Sequence, residues 1–396
     1  MSLDVAASID RREHVPRTVV DRSDQPLPGR RIGVMLPNWV GDAVMATPAL
    51  RALRRHYGPT AELTGIMNPT VADVLAGTNF VDDVVLYQRR SPARALGLLS
   101  VARRLRRRRL DGLLLFTNSF SSAVLGRLSG ARRRIGYARY GRGPLLTRAL
   151  QPPGRRAQLV PVSAVDYYLK LAYAVGCPPE SPRLELAVTA ADDATADQVL
   201  RGLALDAGRP LITFNNGGAY GAAKKWPREH WVGLAQRLVS QTEVSVLVVC
   251  GPAERSEAAH IEREAASNRV RSLAMVGPSI GLTKACVAGS CVVVTTDSGV
   301  RHFAAAFGVP CVTLFGPSDP RWSHNYHVEE RILRVDLPCS PCGRRTCPLH
   351  HHRCLRDVTE SAVYEAVRSR LDARCGEGGQ LRVATGVVSS PSPCAD

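Results

Sequence analysis

Short apolar runs recur along this chain at helix-length intervals, and several end in turns bearing Gly, Asn or Asp. Arg31-Ile-Gly-Val-Met-Leu-Pro37 is the first, followed by a loop and a helix predicted from about Asp42 to His56. Further runs stand at residues 61–67, 81–87 and 111–117. Parallel strands need a long crossover, usually a helix, so this rhythm predicts a doubly wound α/β unit. The pattern weakens between Pro178 and Pro210, where a helix is expected at 190–203, and restarts with Pro210-Leu-Ile-Thr-Phe-Asn215. Beyond it, strands are expected at 244–250, 271–276, 291–296 and 309–315, with helices at 258–267 and 360–373. A chain of 396 residues exceeds the size at which one core keeps growing. Two α/β halves are therefore expected, over residues 31–185 and 205–375, between a flexible leader (1–30) and a Gly/Ser/Pro-rich disordered tail (376–396).

Hydrophobic residues make up 45% of the chain and aromatics only 5%, which suits aliphatic α/β packing. The formal net charge of +17 predicts attraction to an anion: nucleic acid, lipid headgroups or a phosphorylated substrate. No run approaches the roughly 18 uninterrupted apolar residues of a spanning helix, and the first thirty residues lack an apolar signal core. A cytoplasmic location is expected. Most of the eleven cysteines, such as Cys250, Cys291 and Cys311, stand singly in strand-like runs and read as reduced small hydrophobes.

Ligands of open α/β sheets bind outside the carboxyl ends of the strands, so the turns after the runs are where chemistry is sought. Pro37-Asn-Trp-Val-Gly-Asp-Ala-Val44 places Asp42 at the first such turn, either as a general base or as a helix cap. Asn215-Asn-Gly-Gly-Ala-Tyr-Gly-Ala-Ala-Lys-Lys-Trp-Pro227 offers glycine-freed N–H groups and two lysines to a diphosphate, or is a solvated loop. In Thr295-Thr-Asp-Ser-Gly-Val-Arg-His-Phe-Ala-Ala-Ala-Phe307, Ser298 and Gly299 open a helix whose N-terminal amides suit a phosphate, with His302 one turn on. Gly316-Pro-Ser-Asp-Pro320 closes the same end with a rigid turn. Four strand-end motifs aimed at one cleft are more than caps alone explain.

With these segments in this order, the chain resembles the lipopolysaccharide heptosyltransferases of glycosyltransferase family 9, above all those adding the second heptose. The resemblance runs from about Arg31 to Leu371. It implies a GT-B architecture, two Rossmann-like domains facing a cleft, with the acceptor in the first and the nucleotide sugar in the second. It implies inverting transfer of heptose from ADP-heptose to the heptosyl-Kdo-lipid A core, without a catalytic metal or other cofactor. Asp42 matches the family's base and Lys224 the lysine on the donor phosphates. Gly218, Lys225, Thr296, Asp297, Ser298, Gly299 and His302 fall on the donor side. Glu254 matches an acidic residue on the donor ribose, with Glu257 the alternative. Gly41, Arg134, Tyr137 and Arg139 fall on the acceptor side, the last three in the stretch Arg-Ile-Gly-Tyr-Ala-Arg. The same resemblance implies a peripheral enzyme at the cytoplasmic face of the inner membrane and no nucleic-acid partner.

Two features stand outside that scheme. Cys339, Cys342, Cys347 and Cys354 crowd one loop with three histidines, and the C-x2-C start is a metal signal. The later spacings fit neither a zinc ribbon nor a ferredoxin, so a structural metal and plain reduced packing both stand open. The Arg103–Arg109 run serves equally as a solvated helix end, a membrane contact or an acceptor contact. A basic nucleic-acid-binding protein and a Cys-cluster metal protein are the readings from other classes. Neither accounts for the Asp42, Lys224 and Asp297 segments together.

Overall fold

The computed structural model describes residues 29–154, 160–217 and 220–375. The expected tail, and all of the expected leader but Gly29 and Arg30, lie outside the described residues. Strands β1 (Arg31–Met35), β2 (Glu62–Met67), β3 (Asp83–Leu86), β4 (Gly112–Leu115), β5 (Arg133–Tyr137) and β6 (Arg148–Leu150) form one parallel sheet in the order β3-β2-β1-β4-β5-β6. Helices α1 (Val40–Met45), α2 (Thr47–Tyr57), α3 (Pro69–Leu75), α4 (Leu98–Arg108), α5 (Phe120–Leu128) and α6 (Ala164–Tyr173) flank it.

After α7 (Ala190–Gly202) a second parallel sheet begins, with β7 (Leu211–Asn215), β8 (Ser245–Val249), β9 (Val270–Ser272), β10 (Val292–Thr296), β11 (Cys311–Leu314) and β12 (Glu330–Leu333). Its order is β12-β11-β10-β7-β8-β9. Counted from its own first strand, this is the arrangement of the first sheet, and it places a switch point between β7 and β10 as the first has one between β1 and β4. Helices α8 (Arg228–Gln241), α9 (Arg255–Ala265), α10 (Ile280–Ala288), α11 (Gly299–Phe307), α12 (Arg353–Arg356) and α13 (Glu360–Cys375) complete the second half. β4, β7, β8 and β10 are buried at every position, as expected of strands covered on both faces.

The single helix predicted from Asp42 to His56 is two. Pro48 has no N–H to donate and its ring clashes with the carbonyl four residues back, so the chain restarts as α2 with proline in its first turn. Strands β5 and β12 carry arginine and glutamate rather than continuous apolar residues, and β6 is very short; apolar runs did not announce them. The strand expected over 271–276 is only β9, three residues long.

Apolar side chains from α4 and α5 pack on one face of the first sheet, in a cluster with Val101, Leu105, Leu113, Leu115 and Leu125. Its other face packs on α1, α2, α3 and α6, and that cluster continues into the second half through Val287, Phe303, Ala304, Ala305 and Ala306. The halves thus share one core. Lys284 of α10 strengthens the seam, donating its buried ammonium to the carbonyls of Val74 (3.3 Å) and Ala76 (2.9 Å) at the end of α3. Burial pulls its pKa down.

Candidate active site between the two sheets

The N-terminal ends of α1 and α11 meet where the two switch points face each other. Small residues make the approach possible: a Cβ on Gly41 would lie 2.9 Å from His302 Cδ2, and one on Gly299 would lie 2.9 Å from Val40 Cγ1. Asp42, in the first turn of α1, is thereby held at the junction of the halves. Burial pushes its pKa up to about 6; Lys224 works against the rise and Asp297 adds to it. A carboxylate poised near neutrality is the form a general base takes.

Lys224 comes from the other half, from the short turn after β7. Its ammonium bonds the Asp297 carboxylate at 2.5 Å and the Asp297 carbonyl at 3.2 Å, and it lies over the Tyr220 ring at 4.5 Å. Behind Asp297, Arg301 is fully buried and makes a two-pronged pair with Glu330 of β12 (2.8 and 2.7 Å), while Ser323 accepts through its carbonyl and hydroxyl. These positive neighbours hold Asp297 below the usual carboxylate range despite its burial. Ser298 caps α11, accepting from the Val300 N–H, and donates to Asn215 Oδ1 at 2.8 Å. Thr296 donates to the Gly217 carbonyl at 3.2 Å, so the strand end is tied to the glycine loop.

Glu254 stands at the end of β8, accepts the Gly251 N–H at 3.0 Å, and packs where a Gly217 Cβ would lie 2.9 Å from its Cγ. Glu257 is spent on Lys225. Glu254 is thus set against the glycine part of the loop and Glu257 against its lysine. Gly218 lies outside the described residues. His302 is buried, with Nδ1 paired to Asn325 Oδ1 at 2.8 Å and its ring under Gly41, and burial beside Arg301 depresses its pKa to about 4. It sits as a neutral spacer between the halves.

On the first sheet a cavity of about 370 Å³ opens at the ends of β1 to β4, lined by Asn38, Asn68, Tyr87, Arg89, Ser119 and Ser121 among others. The three acceptor-side residues of the Arg-Ile-Gly-Tyr-Ala-Arg stretch do not line it. Arg134 enters β5 near its start and donates to the carbonyls of Leu145 (2.9 Å) and Ala131 (2.7 Å). Tyr137 is buried, stacked on Tyr167 at 3.9 Å. Arg139 lies half-buried beyond the strand, over the Tyr140 ring at 5.2 Å. Sequence reasoning missed Asn38, Asn68 and Ser119, which follow strands as Asp42 does, and Arg142, whose buried guanidinium bonds Tyr137, Ser122 and Asn118. The turn position of those polar residues was the available signal.

The Cys-rich loop packs on the lysine loop. The Ala223 N–H donates to the Arg345 carbonyl at 3.0 Å, the Tyr220 hydroxyl donates to the Gly343 carbonyl at 2.6 Å, and Gly221, at φ 154°, lies where a Cβ would strike that Arg345 carbonyl. Cys339, Cys342, Cys347 and Cys354 are free thiols. Among the described residues no group of three or more His, Cys, Asp or Glu side chains is arranged to hold a metal ion, so the expectation of a structural metal gains no support. The loop acts here by packing.

Residues 98–352 match glycosyltransferase family 9 (heptosyltransferase). Lipopolysaccharide heptosyltransferase 2 of Escherichia coli is 27% identical over 358 residues, 86% of this chain and 98% of that one. Lipooligosaccharide heptosyltransferase 2 of Campylobacter jejuni is 22% identical, over 85% of this chain and 98% of that one. The structure of E. coli ADP-heptose lps heptosyltransferase II superposes with a TM-score of 0.73 at 24% identity, over 88% of this chain and all of that one.

Proposed function

The chain belongs to glycosyltransferase family 9, the heptosyltransferases, and we propose that it transfers heptose from ADP-heptose to the heptosyl-Kdo-lipid A inner core during lipopolysaccharide biosynthesis. It is a glycosyltransferase of two Rossmann-like halves in the GT-B arrangement. The observation that carries the reading is the meeting of Asp42 from one half with the Lys224–Asp297 pair of the other. Support for the sugar and its acceptor comes from the relatives' names, and for the nucleotide from a solved E. coli heptosyltransferase, WaaC with ADP.

In this reading the half over 31–185 holds the acceptor and the half over 205–375 holds the donor. Asp42 takes the proton of the acceptor hydroxyl as its oxygen bonds the anomeric carbon. The bond from that carbon to the diphosphate breaks in the same displacement, so configuration inverts and ADP leaves with the electron pair. Lys224 shifts from Asp297 toward the departing phosphate, and the capped end of α11 at Ser298 and Gly299 adds its amides. Glu254 is the partner for a donor hydroxyl. Gly41 and the polar rim of the first-sheet cavity receive the acceptor. Arg134, Tyr137 and Arg139 support that wall, and no metal or other cofactor enters. Because the acceptor is lipid-linked, the enzyme works as a peripheral protein at the cytoplasmic face of the inner membrane.

The test is incubation of the purified protein with ADP-heptose and heptosyl-Kdo2-lipid A, beside Asp42→Asn, with the acceptor followed by mass spectrometry. A gain of one heptose with wild type alone is expected. ADP binding without any transfer moves the reading to another donor or acceptor within the family.

A further inference from the structure

The chain's charge is not spread evenly. Residues 84–165 contain eighteen arginines, no lysine and one acidic residue, Asp111, so this segment alone carries the whole formal net charge of +17. The remainder of the chain is balanced. An arginine-rich composition acting everywhere would not leave the rest neutral.

Several of these arginines are consumed by the fold: Arg134 and Arg142 bond backbone carbonyls, and Arg108 pairs with Glu62 and Asp83. Arg103, Arg104, Arg106, Arg107, Arg109, Arg127 and Arg132 are exposed, and among the described residues none of them has an acidic side chain at ion-pair distance. They belong to the α4–α5 layer. Arg106 lies beside Gly130 at the end of α5, and α4 and α5 pack in one cluster, so the two helices present one basic face. That layer covers the face of the first sheet opposite the shared core, and so looks away from the second half.

The same face is apolar at helical spacing. On α5, Phe120 and Leu128 are 54% and 39% exposed, with half-buried Val124 between them at four-residue steps. On α4, Leu99 is 62% exposed and stands one turn before Arg103. Phe120 also sits between Ser119 and Ser121, which line the strand-end cavity. Of the four apolar side chains named, three are aliphatic and Phe120 is aromatic, and arginines interspersed with such side chains on helix faces match an interface of phosphate headgroups over acyl chains.

We propose that the outer α4–α5 face docks on an anionic lipid bilayer, through the free arginines and the Leu99, Phe120 and Leu128 side chains. This rests on the membrane part of the functional reading and gives it a surface. Docking there leaves the cavity mouth next to Phe120 at the lipid surface, where a lipid-linked acceptor presents its sugars.

The test is sedimentation of the full chain with sucrose-loaded vesicles, either pure phosphatidylcholine or equal parts phosphatidylcholine and phosphatidylglycerol, with no sugar substrate present. Its failure is therefore distinct from failure of heptose transfer. Binding to the anionic vesicles alone, weakened by salt, is expected. Each arginine removed is expected to cost about fivefold, so Arg103→Gln, Arg104→Gln, Arg106→Gln and Arg107→Gln together should lose on the order of several hundredfold. Arg183→Gln, Arg201→Gln, Arg228→Gln and Arg263→Gln, matched in net charge but on other elements, should change it little. Phe120→Ser with Leu128→Ser should weaken binding with the salt dependence kept. Thermal melts check that each variant folds. Equal binding to both vesicle types, equal loss in the two arginine sets, displacement by inorganic phosphate at constant ionic strength, or binding to an RNA oligomer with none to vesicles would each overturn the proposal.

Discussion

At the ends of β1 to β4 the first half holds a cavity lined by amides, hydroxyls and the Arg89 side chain, and at its junction with the second half a carboxyl group, Asp42, pushed toward neutrality. Between β7 and β10 the second half holds Lys224, Asp297, Arg301 and Glu330 in one largely buried ion network. The strand order is the same in both. What differs is the side chains set in the turns after the strands and, for Glu330, within an edge strand, and in the proposed reading these separate an acceptor site from a diphosphate site. The second-half network keeps its charges in low dielectric because each has a partner; Asp42, with no ion pair or side-chain hydrogen bond among the described residues, has its pKa raised by burial instead.

That contrast is open to attack from both sides. Asp42→Asn removes the proposed base and should lower kcat by on the order of 10³-fold, within the usual range for general-base groups, while ADP binding, measured by calorimetry, stays intact. Loss of ADP affinity instead would erase the division of labour between the halves. Lys224→Met should lower kcat by about 10²-fold and raise the donor KM, leaving the acceptor KM unchanged. Arg301→Leu strands Glu330 and Asp297 and should cost about 3–5 kcal/mol in urea unfolding, whereas Arg142→Met in the first half, which strands carbonyls and no carboxylate, should cost about 1–3 kcal/mol. Equal costs would mean the ion network is no more sensitive than the neutral one. Gly41→Ala should lower stability by about 1–3 kcal/mol and slow turnover, because the new Cβ meets the buried His302 ring.

The pH dependence is the finest probe. With Asp42 titrating at about 6, kcat/KM should fall about tenfold per unit below that value. Its raised pKa favours the folded state in acid, and that contribution is lost as pH rises through about 6. Asp42→Asn should therefore melt higher than wild type at neutral pH, and the gap should close toward pH 3.8. His302 acts the other way: depressed to about 4, it favours the fold above 6.5 and loses that contribution as pH falls through 4.

The alternation of apolar runs was enough to read both sheets and most crossovers, because central parallel strands are written as unbroken aliphatic stretches. Outer strands escaped: β5, one in from the edge, opens with two arginines, and the edge strand β12 is half charged because Glu330 serves Arg301. In the site, Asp42, Lys224 and Asp297 were legible because they sit in turns flanked by glycine or directly after strands. The assembly behind them was not, since Arg301 to Glu330 and His302 to Asn325 join residues far apart in sequence, and nothing local marks such pairs. Tyr137 shows the converse: a residue inside a recognisable motif is buried as packing.

The core shared by α1, α10 and α11 bears on how the protein is made. When α6 has left the ribosome, the first sheet is complete, yet the face of α1 still lacks Phe303 and Ala304–Ala306, its eventual cover. Those residues lie some 130 positions further on, roughly 7–26 s of synthesis at ordinary elongation rates. During that interval the nascent first half carries an open apolar seam, so it depends on its own second half as a chaperone delivered late.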